Sequence, residues 1–499
     1  MVDTGYIIAI DQGTTGTTAM LIDSTGAPLW TTGRDIRQIY PRPGWVEHSP
    51  VELFESCLET IDELLEIAEL HPRSIAGLGI TNQRETLVMW DRRTGEPVSN
   101  AIVWQCRRTA QLCDSLKSQG YGDVVRQKTG LPIDAYFTGT KIRWLLDEIP
   151  DGQRRAASGD LACGTVDSWL IWNFTNKLVH ATDVTNAGRT MLFNIDTLDW
   201  DDDLLAMLDI PKAVLPEVRS SSEVYGHVAG DLSYGQPVPI AGVAGDQHAS
   251  LFGQCCFAPG STKNTYGTGC FALTNTGTER VDSSSGLLTT IGWGIGGEVN
   301  YALEGSVFSA GATIQWLRDG LGLMETSAES ESLAAEVEDN GGVYLVPAFS
   351  GLGAPYWDMY ARGTIVGLTR GTTRSHISRA ALESIAYQTH DILDLMQKEG
   401  GTAISSLRVD GGATDNNLLM QFQADILGVP IQRSAIKETT ALGAGYLAGL
   451  AVGTWNSSEE LEALWEADAT FHPAMDESQR EAHYSDWQRA VERSRNWAS

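Results

Sequence analysis

Residues Tyr6 to Asp23 read YIIAIDQGTTGTTAMLID, and this segment carries the fold assignment. The apolar run at residues 6–10 predicts a buried strand, and the apolar run at residues 19–22 predicts a second strand. Glycine and threonine lie between them, so we expect a hairpin whose tip offers backbone N–H groups and hydroxyls. Such a tip can close around phosphate oxygens, and an ordinary tight hairpin is the plain alternative.

The hairpin tip is not a Walker loop, because no lysine follows the glycines and a strand comes next instead of a helix. Asp11 stands at the end of the first predicted strand, where it can hold Mg²⁺ through water beside bound phosphates. A similar pattern, NTYGTGCFAL, recurs at residues 264–273. Two such units, heading the two halves of the chain, indicate duplicated folds that we expect to face each other across a cleft.

Length and charge restrict the class of protein. A chain of 499 residues exceeds what one core usually supports, so two domains are expected. Asp and Glu number 64 against 35 Lys and Arg, a formal net charge of −29, which argues against nucleic acid or an anionic membrane surface as partner. The acids are spread along the chain. They indicate either a solvated surface or a halophilic protein in molar salt, where screening acts over ~3 Å.

Targeting and cysteine patterns favour a cytoplasmic protein. The N-terminus shows no signal-peptide pattern, and no apolar run approaches the ~18–20 residues that span a bilayer. The seven cysteines are odd in number, scattered, and lack a CxxC pair. This usage fits reduced thiols better than a disulfide framework or a zinc site.

Polar residues follow two predicted strands of the first half. Residues 76–81 lead into Asn-Gln-Arg84-Glu85, and residues 237–244 lead into Gly-Asp246-Gln-His. Open α/β sheets bind ligands at the carboxyl edge of their strands, so these residues are candidates for a site. The alternatives are a surface ion pair for Arg84 with Glu85, and a helix-capping acid for Asp246.

The second half carries further glycine-rich segments. Residues 305–318 are interpreted as the start of a helix, and residues 375–398 as a long amphipathic helix. The Gly411–Gly412 turn lets the main chain pass close to a purine or ribose. The charged tail at residues 459–499 is predicted to be helical.

Several longer motifs together resemble the FGGY carbohydrate kinases. They include YFTGTKIRWLLDE at 136–148, GTIVGLTRGTTRSHISRAALE at 363–383, ITNQRETLVMW at 80–90 and NAGRTMLFN at 186–194. The resemblance runs from residue 7 to about residue 453 and is strongest to the members that phosphorylate glycerol. It implies an α/β fold of two actin-like, ribonuclease H-like domains, residues 1–254 and 255–499, of the sugar kinase–actin–heat-shock chaperone superfamily.

The resemblance also implies an activity and a set of site residues. The activity is phosphorylation of glycerol by ATP with Mg²⁺, giving sn-glycerol 3-phosphate, in a homo-oligomer (dimer or tetramer). The implied glycerol contacts are Arg84, Glu85, Trp104, Tyr136, Asp246, Gln247 and Phe271. The implied nucleotide contacts are Thr14, Thr15, Gly16, Thr268, Gly311, Gln315, Gly412 and Asn416. Asp246 is the candidate catalytic base for the attacking hydroxyl.

The chemistry of the substrate agrees with this set. Glycerol hydroxyls both donate and accept, so a site needs acceptors such as Glu85 and Asp246 and donors such as Arg84. Phosphoryl transfer needs positioning and charge neutralisation more than covalent chemistry. Trp104 and Phe271 are assigned to the glycerol carbons, and plain core aromatics are the alternative.

Two departures from the family pattern qualify the assignment. The family often has Ser and Arg where this chain has Gly16 and Thr18, so Thr18 is left out of the phosphate set. Residues 230–236, GDLSYGQ, hold no cation where some bacterial members bind fructose 1,6-bisphosphate, so we expect no regulation by that compound. The alternative functions are a related kinase for another polyol or a ketose, and a nucleotide-driven module without catalysis.

Overall fold

The computed structural model describes residues 5–229 and 237–498. The segment without cations at 230–236 lies outside the described residues, so the expectation for it stays a prediction. The chain divides into two compact units. The N-terminal unit runs to Phe257 and includes Thr289–Tyr301 and Thr439–Trp465; the C-terminal unit comprises Ala258–Leu288, Ala302–Glu438 and Glu466 onward.

The strands of the described residues follow in chain order. They are β1 (Tyr6–Gln12), β2 (Gly16–Ile22), β3 (Pro28–Asp35), β4 (Glu47–His48), β5 (Ile75–Asn82), β6 (Val88–Asp91), β7 (Ala101–Ile102), β8 (Leu161–Gly164), β9 (Ala181–Asp183), β10 (Phe193–Asn194), β11 (Asp199–Trp200), β12 (Glu217–Arg219), β13 (Ser222–His227), β14 (Pro239–Gly245), β15 (Thr262–Tyr266), β16 (Cys270–Gly277), β17 (Leu288–Ile295), β18 (Glu298–Val307), β19 (Tyr344–Val346), β20 (Thr364–Val366), β21 (Leu407–Asp410), β22 (Ile431–Ser434) and β23 (Ala467–Phe471).

The α-helices are given in the same order. They are α1 (Pro50–Ile67), α2 (Ala110–Ser118), α3 (Gly122–Thr129), α4 (Thr138–Glu148), α5 (Gly152–Ala157), α6 (Val166–Phe174), α7 (Val184–Ala187), α8 (Asp202–Leu208), α9 (Asp246–Gly253), α10 (Gly311–Gln315), α11 (Glu329–Ala334), α12 (Arg374–Gly400), α13 (Asn417–Leu427), α14 (Thr439–Val452), α15 (Ser458–Glu462) and α16 (Glu477–Ser494). Throughout the described ranges, we find no helix long and apolar enough to cross a membrane.

The predicted hairpin opens the sheet of the N-terminal unit. β1 and β2 pair antiparallel, in a register that runs from Ile7 opposite Ile22 to Gln12 opposite Thr17. β3 pairs antiparallel with β2, while β5 lies parallel to β1 and β14 parallel to β5. Because β1, β5 and β14 run in one direction, their carboxyl ends meet at one edge of the sheet. That edge carries Asp11, Arg84, Glu85 and Asp246.

Helix α14 explains why residues 439–465 belong to the N-terminal unit. A Cβ on Gly79 of β5 would lie 2.2 Å from the Ala444 oxygen, and one on Gly242 of β14 would lie 2.4 Å from the Ala448 nitrogen. Glycine on the strands therefore lets the helix backbone lie directly on the sheet. The compact units are thus not contiguous in sequence, and the division at residues 254/255 stays a proposal about sequence domains.

The C-terminal unit repeats the strand order of the first. β15 and β16 form a second hairpin, with Tyr266 opposite Cys270, and β16 is hydrogen-bonded to β18. β21 lies parallel to β15 and β22 parallel to β21, as β5 and β14 do in the N-terminal unit. The long helix α12 lies in its core, where Tyr387 stacks on Trp487 of α16 with ring centroids 5.2 Å apart. The expected duplication is therefore present in the topology.

Two local predictions in the second half are wrong in part. Residues 305–307 end strand β18, and the helix begins only at Gly311. The tail is not wholly helical, because β23 pairs antiparallel with β22, placing Phe471 opposite Ile431. β23 is mostly exposed and spans only the five residues ADATF, so its short alternation of apolar and polar residues did not separate it from the flanking helices.

Candidate active site

The tip of the β1–β2 hairpin forms a backbone cradle. The Gly13 N–H donates to the Gly16 oxygen at 2.9 Å, which closes the turn. A Cβ on Gly16 would lie 2.7 Å from the Arg34 oxygen of β3, so glycine is required by the close approach of that strand. Thr14 is half-buried and Thr15 exposed, so two hydroxyls flank the turn. This tip has the N–H groups, hydroxyls and space that phosphate oxygens need.

Three side chains hold the tip, and none was predicted to do so. The Trp104 indole N–H donates to the Thr14 hydroxyl at 2.9 Å. The Gln38 side-chain amide donates to the Thr14 backbone oxygen at 2.8 Å, and the Gln83 side-chain amide donates to the Gly13 backbone oxygen at 3.0 Å. The conformation of the cradle is therefore determined by residues from three separate segments of the N-terminal unit.

Asp11 is a half-buried carboxylate on β1, opposite Thr18 of β2. Among the described residues, no group of three or more His, Cys, Asp or Glu side chains could hold a metal ion. A single carboxylate beside a phosphate cradle suits Mg²⁺, which keeps several waters and takes its other ligands from phosphates. The donor set around Asp11 therefore fits the metal named in the prediction.

A cluster of charged side chains occupies the carboxyl ends of β5 and β14. Arg84 Nε lies 3.1 Å from Asp246 Oδ1 and 4.0 Å from Glu85 Oε1. The side chains of Arg84 and Glu85 are 2% and 1% exposed, whereas that of Asp246 is 27% exposed. A surface ion pair is excluded for Arg84 and Glu85 by this burial. The cluster thus joins the partly accessible Asp246 carboxylate to the buried charges of Arg84 and Glu85.

Asp246 is the first residue of α9. Its Oδ1 also accepts a hydrogen bond from the Gln247 backbone N–H at 2.6 Å. The preceding Gly245 N–H donates to the Thr185 hydroxyl at 2.9 Å, which holds the strand-to-helix junction. Gly245 is the N-cap of α9 and no side chain caps the helix, so Asp246 lies in the first turn, and Arg84 and the Gln247 N–H together set the orientation of its carboxylate.

Two aromatic residues of the predicted glycerol set meet in the N-terminal unit. Trp104 and Tyr136 pack edge to face, with ring centroids 5.6 Å apart. Both are half-buried, so neither is an ordinary core aromatic. The Tyr136 backbone N–H donates to Asp134 Oδ1 at 2.9 Å, and Asp134 pairs with Arg107. Trp104 thus connects Tyr136 with the hairpin tip at Thr14.

Two buried cations lie against Glu85 and were not predicted as site residues. Arg189 Nε donates to Glu85 Oε1 at 2.6 Å, and the Arg189 side chain is fully buried. Lys141 Nζ donates to the Glu85 backbone oxygen at 3.0 Å and to the Tyr136 backbone oxygen at 2.5 Å. Burial lowers the pKa of Lys141 to about 7.

The hairpin tip of the C-terminal unit is joined to α10. The Thr268 oxygen accepts hydrogen bonds from the Ala310 and Ala312 N–H groups, at 2.9 and 3.0 Å. The Gly311 N–H donates to the Gly267 oxygen at 3.0 Å, and a Cβ on Gly311 would lie 2.6 Å from that oxygen. Two residues predicted to bind nucleotide, Thr268 and Gly311, are therefore adjacent.

The Gly-Gly turn lies against the same hairpin. Gly411 has φ +90°, and a Cβ there would lie 2.4 Å from the Tyr266 oxygen, so only glycine fits. Gly412 opens on free space. Asn416 caps α13 by accepting from the Leu419 N–H at 2.9 Å, a structural role that the prediction did not include.

The remaining predicted residues of this unit lie close by in the chain. Gln315 is exposed at the end of α10, and Phe271 is half-buried on β16 opposite Thr265. These positions leave the Gln315 amide accessible to a ligand.

Comparison with known protein families gives a match over most of the chain. Residues 6–253 match the FGGY family of carbohydrate kinases, N-terminal domain, and residues 262–452 match its C-terminal domain. The chain belongs to the FGGY family of carbohydrate kinases. The relatives and the solved structure described next each align with 98–99% of the chain.

This FGGY kinase has curated relatives of high identity. It is 59% identical over 492 residues to glycerol kinase 2 of Thermotoga maritima, covering 99% of both chains. It is 58% identical to glycerol kinase of Caldanaerobacter subterraneus subsp. tengcongensis, again covering 99% of each chain. Among solved structures, Plasmodium falciparum glycerol kinase with ADP superposes with a TM-score of 0.92 at 38% identity, covering 98% of both chains. The predicted two-domain α/β fold is confirmed.

The positions that sequence reasoning missed in this FGGY kinase lie inside motifs that it had quoted. Lys141 belongs to YFTGTKIRWLLDE and Arg189 to NAGRTMLFN. Each is a cation within an otherwise apolar or small-residue run, and this pattern could have indicated a buried cation that requires hydrogen-bond acceptors. Which acceptors these are depends on the packing of α4 and α7 and was not readable from either motif.

Proposed function

We propose that the chain phosphorylates glycerol with ATP and Mg²⁺, producing sn-glycerol 3-phosphate and ADP. The observation that carries this is the Arg84–Glu85–Asp246 cluster, two buried charges beneath one accessible carboxylate at the end of β14. The relatives at 58–59% identity are named glycerol kinases, and the P. falciparum glycerol kinase structure contains ADP. The alternative, a related kinase for another polyol or a ketose, keeps the same fold.

The glycerol contacts are assigned by hydrogen-bonding character. Glu85 accepts from a hydroxyl, while the Arg84 guanidinium, Tyr136 hydroxyl and Gln247 amide donate. Trp104 covers the carbon chain with its half-buried ring. Phe271 is assigned to the same carbons on the family resemblance alone.

Asp246 takes the proton from the attacking terminal hydroxyl. The ion pair with Arg84 fixes the orientation of this carboxylate. Proton transfer to a positioned carboxylate contributes roughly 10²–10⁴-fold to a rate. The contact with the Gln247 N–H serves orientation and does not compete with the base role.

The phosphates are held by the backbone at Gly13 and Gly16 and by the hydroxyls of Thr14 and Thr15. Mg²⁺, when bound through Asp11, neutralises charge on the phosphates. In the C-terminal unit, we assign the nucleoside to Thr268, Gly311, Gln315, Gly412 and Asn416. The exposed Gln315 and the open space at Gly412 support that assignment.

Compartment and assembly are further parts of the proposal. All seven cysteines are buried thiols, which supports a reducing cytoplasm as the place of the reaction. A homo-oligomer, dimer or tetramer, is proposed on the family resemblance. Sedimentation equilibrium would give its order.

A substrate screen tests the function. Purified protein with ATP and Mg²⁺ is offered glycerol, dihydroxyacetone, xylulose and erythritol, and ADP release is measured. We expect kcat/KM to be highest for glycerol, with a product oxidised by an sn-glycerol-3-phosphate dehydrogenase. Faster turnover of xylulose or erythritol would refute the substrate assignment in favour of the alternative.

A further inference from the structure

The backbone of Glu85 has an uncommon conformation. Its φ is +60°, in the left-handed region that non-glycine residues rarely adopt. The Thr86 N–H donates to the Arg84 oxygen at 2.8 Å, so the chain makes a tight turn at Glu85. Such strain persists only where the surroundings hold it, and it concentrates at functional sites. The contacts of the Glu85 backbone oxygen therefore hold the turn from which its carboxylate projects.

Helix α4 supplies those contacts. Lys141 Nζ donates to the Glu85 oxygen at 3.0 Å, and the Thr138 hydroxyl donates to the same oxygen at 3.1 Å. Lys141 Nζ also donates to the Tyr136 oxygen at 2.5 Å. One ammonium thus connects two main-chain segments, each of which carries a proposed glycerol contact.

The burial of Lys141 argues against a role in packing alone. The residue is 0% exposed, and both of these acceptors are main-chain carbonyls. Burying a cation is costly, and a methionine of similar length would fill the same space without that cost. What lysine adds is hydrogen bonds to two specific oxygens.

We propose that Lys141 is a positioning residue that fixes the relative placement of Glu85 and Tyr136 and thereby the affinity for the acceptor alcohol. Thr138 assists it at the Glu85 oxygen. This inference rests on the proposed function, because it requires Glu85 and Tyr136 to contact glycerol. It predicts a larger defect toward the acceptor than toward ATP, since Lys141 contacts the Glu85 and Tyr136 oxygens directly and reaches Thr14 only through the ring contact of Tyr136 with Trp104.

The first test replaces the donor while keeping its volume. In Lys141→Met, we expect the KM for glycerol to rise about 10- to 100-fold, the range that a misplacement near 1 Å produces. The Kd of ATP, measured by titration, should change much less than the KM for glycerol. The matched control is Lys177→Met, because Lys177 also donates to a main-chain oxygen, that of Thr94 at 2.5 Å, but on the exposed surface. It should leave both constants unchanged.

A milder variant covers the case in which Lys141→Met does not fold. Thr138→Val keeps the shape of the side chain and removes one neutral donor from the Glu85 oxygen. We expect the KM for glycerol to rise about 2- to 10-fold, the usual worth of one such bond.

The outcomes separate the inference from the function. A folded Lys141→Met enzyme with a normal KM for glycerol overturns the positioning role. Equal losses for glycerol and ATP together with a lowered Tm also overturn it, because they indicate a structural role. If Lys141→Met does not fold, an unchanged KM in Thr138→Val overturns it. A wild-type enzyme that does not phosphorylate glycerol refutes the proposed function instead.

Discussion

Replacing Asp246 with asparagine tests the proposed mechanism most directly. In the unmodified protein, Asp246 Oδ1 lies 3.1 Å from Arg84 Nε and 2.6 Å from the Gln247 backbone nitrogen. The asparagine oxygen can still accept hydrogen bonds from both groups. The side chain should therefore keep its place, and what is lost is the capacity to take a proton at neutral pH. We expect kcat to fall about 10²–10⁴-fold, which is roughly 3–5 kcal/mol in the activation barrier.

Binding should change less than turnover in Asp246→Asn. Arg84 is nearly fully buried and loses a charged partner, and Glu85, which lies 4.0 Å from its Nε and also pairs with Arg189, compensates the cation in part. We expect the KM for glycerol to rise about tenfold or less, because the hydrogen bond from the glycerol hydroxyl to a carboxylate becomes one to a neutral amide. The Kd of ATP should not change, because Thr14 and Thr15 are untouched.

The assay combines steady-state kinetics, a nucleotide titration and a thermal unfolding scan. Asp201→Asn is the matched control, because Asp201 pairs with Lys128 at 2.7 Å and caps α8. This variant also loses an ion pair and a charge at the start of a helix, but outside the proposed site. Its kcat should equal that of the wild type. A near-normal kcat in Asp246→Asn, with a lowered Tm, would refute the base role and leave Asp246 as a structural acid in the first turn of α9.

The remaining predictions concern binding, salt, regulation and pH. Arg84→Ala should raise the KM for glycerol more than it lowers kcat, because a glycerol hydroxyl loses its donor; the same kinetics check this. The net charge of −29 predicts that the urea midpoint rises from dilute buffer to molar KCl, and an unchanged midpoint would contradict the halophilic interpretation. Since residues 230–236 hold no cation, millimolar fructose 1,6-bisphosphate should not inhibit glycerol phosphorylation in an initial-rate assay. Burial, and secondarily the Asp183 carboxylate, raises the pKa of Asp167 to about 7, so between the unfolded value of ~3.9 and pH 7 the folded state holds an extra proton and stability should fall as pH rises. Asp167→Asn should remove that component, about 1.4 kcal/mol per pH unit, from urea unfolding measured at pH 5 and pH 7.

Features of short sequence range were predictable. The β1–β2 hairpin and helix α12 follow from apolar runs, glycine turns and helical spacing, and the structure has both near the predicted bounds. Each depends on side-chain periodicity and backbone propensity over fewer than about 30 residues. The strand ends that carry Arg84 and Asp246 were found in the same way.

The errors occurred where neighbouring strands decide the structure. Residues 305–307 contain small side chains that suit either a helix or a strand, and pairing within the C-terminal unit makes them the end of β18. The exposed β23 forms where β22 offers it hydrogen bonds, and its five-residue alternation is too short to predict a strand by itself. Likewise, α14 joins the N-terminal unit because glycines of β5 and β14 admit it.

The sequence by itself determined the duplicated hairpin pattern, the two acidic strand ends and the family, since motifs and periodicity are local properties that survive without coordinates. Only the tertiary structure decided how Glu85 is held: its left-handed turn, the Arg189 carboxylate contact and the bridge from Lys141 to Tyr136. The two contacts with Glu85 join positions 56 and 104 residues apart, and a buried cation gives no indication in sequence of which acceptor it will meet. Packing of α4 and α7 against the end of β5 supplies that information, because in a dense interior each donor reaches only the oxygens that the backbone places within about 3 Å.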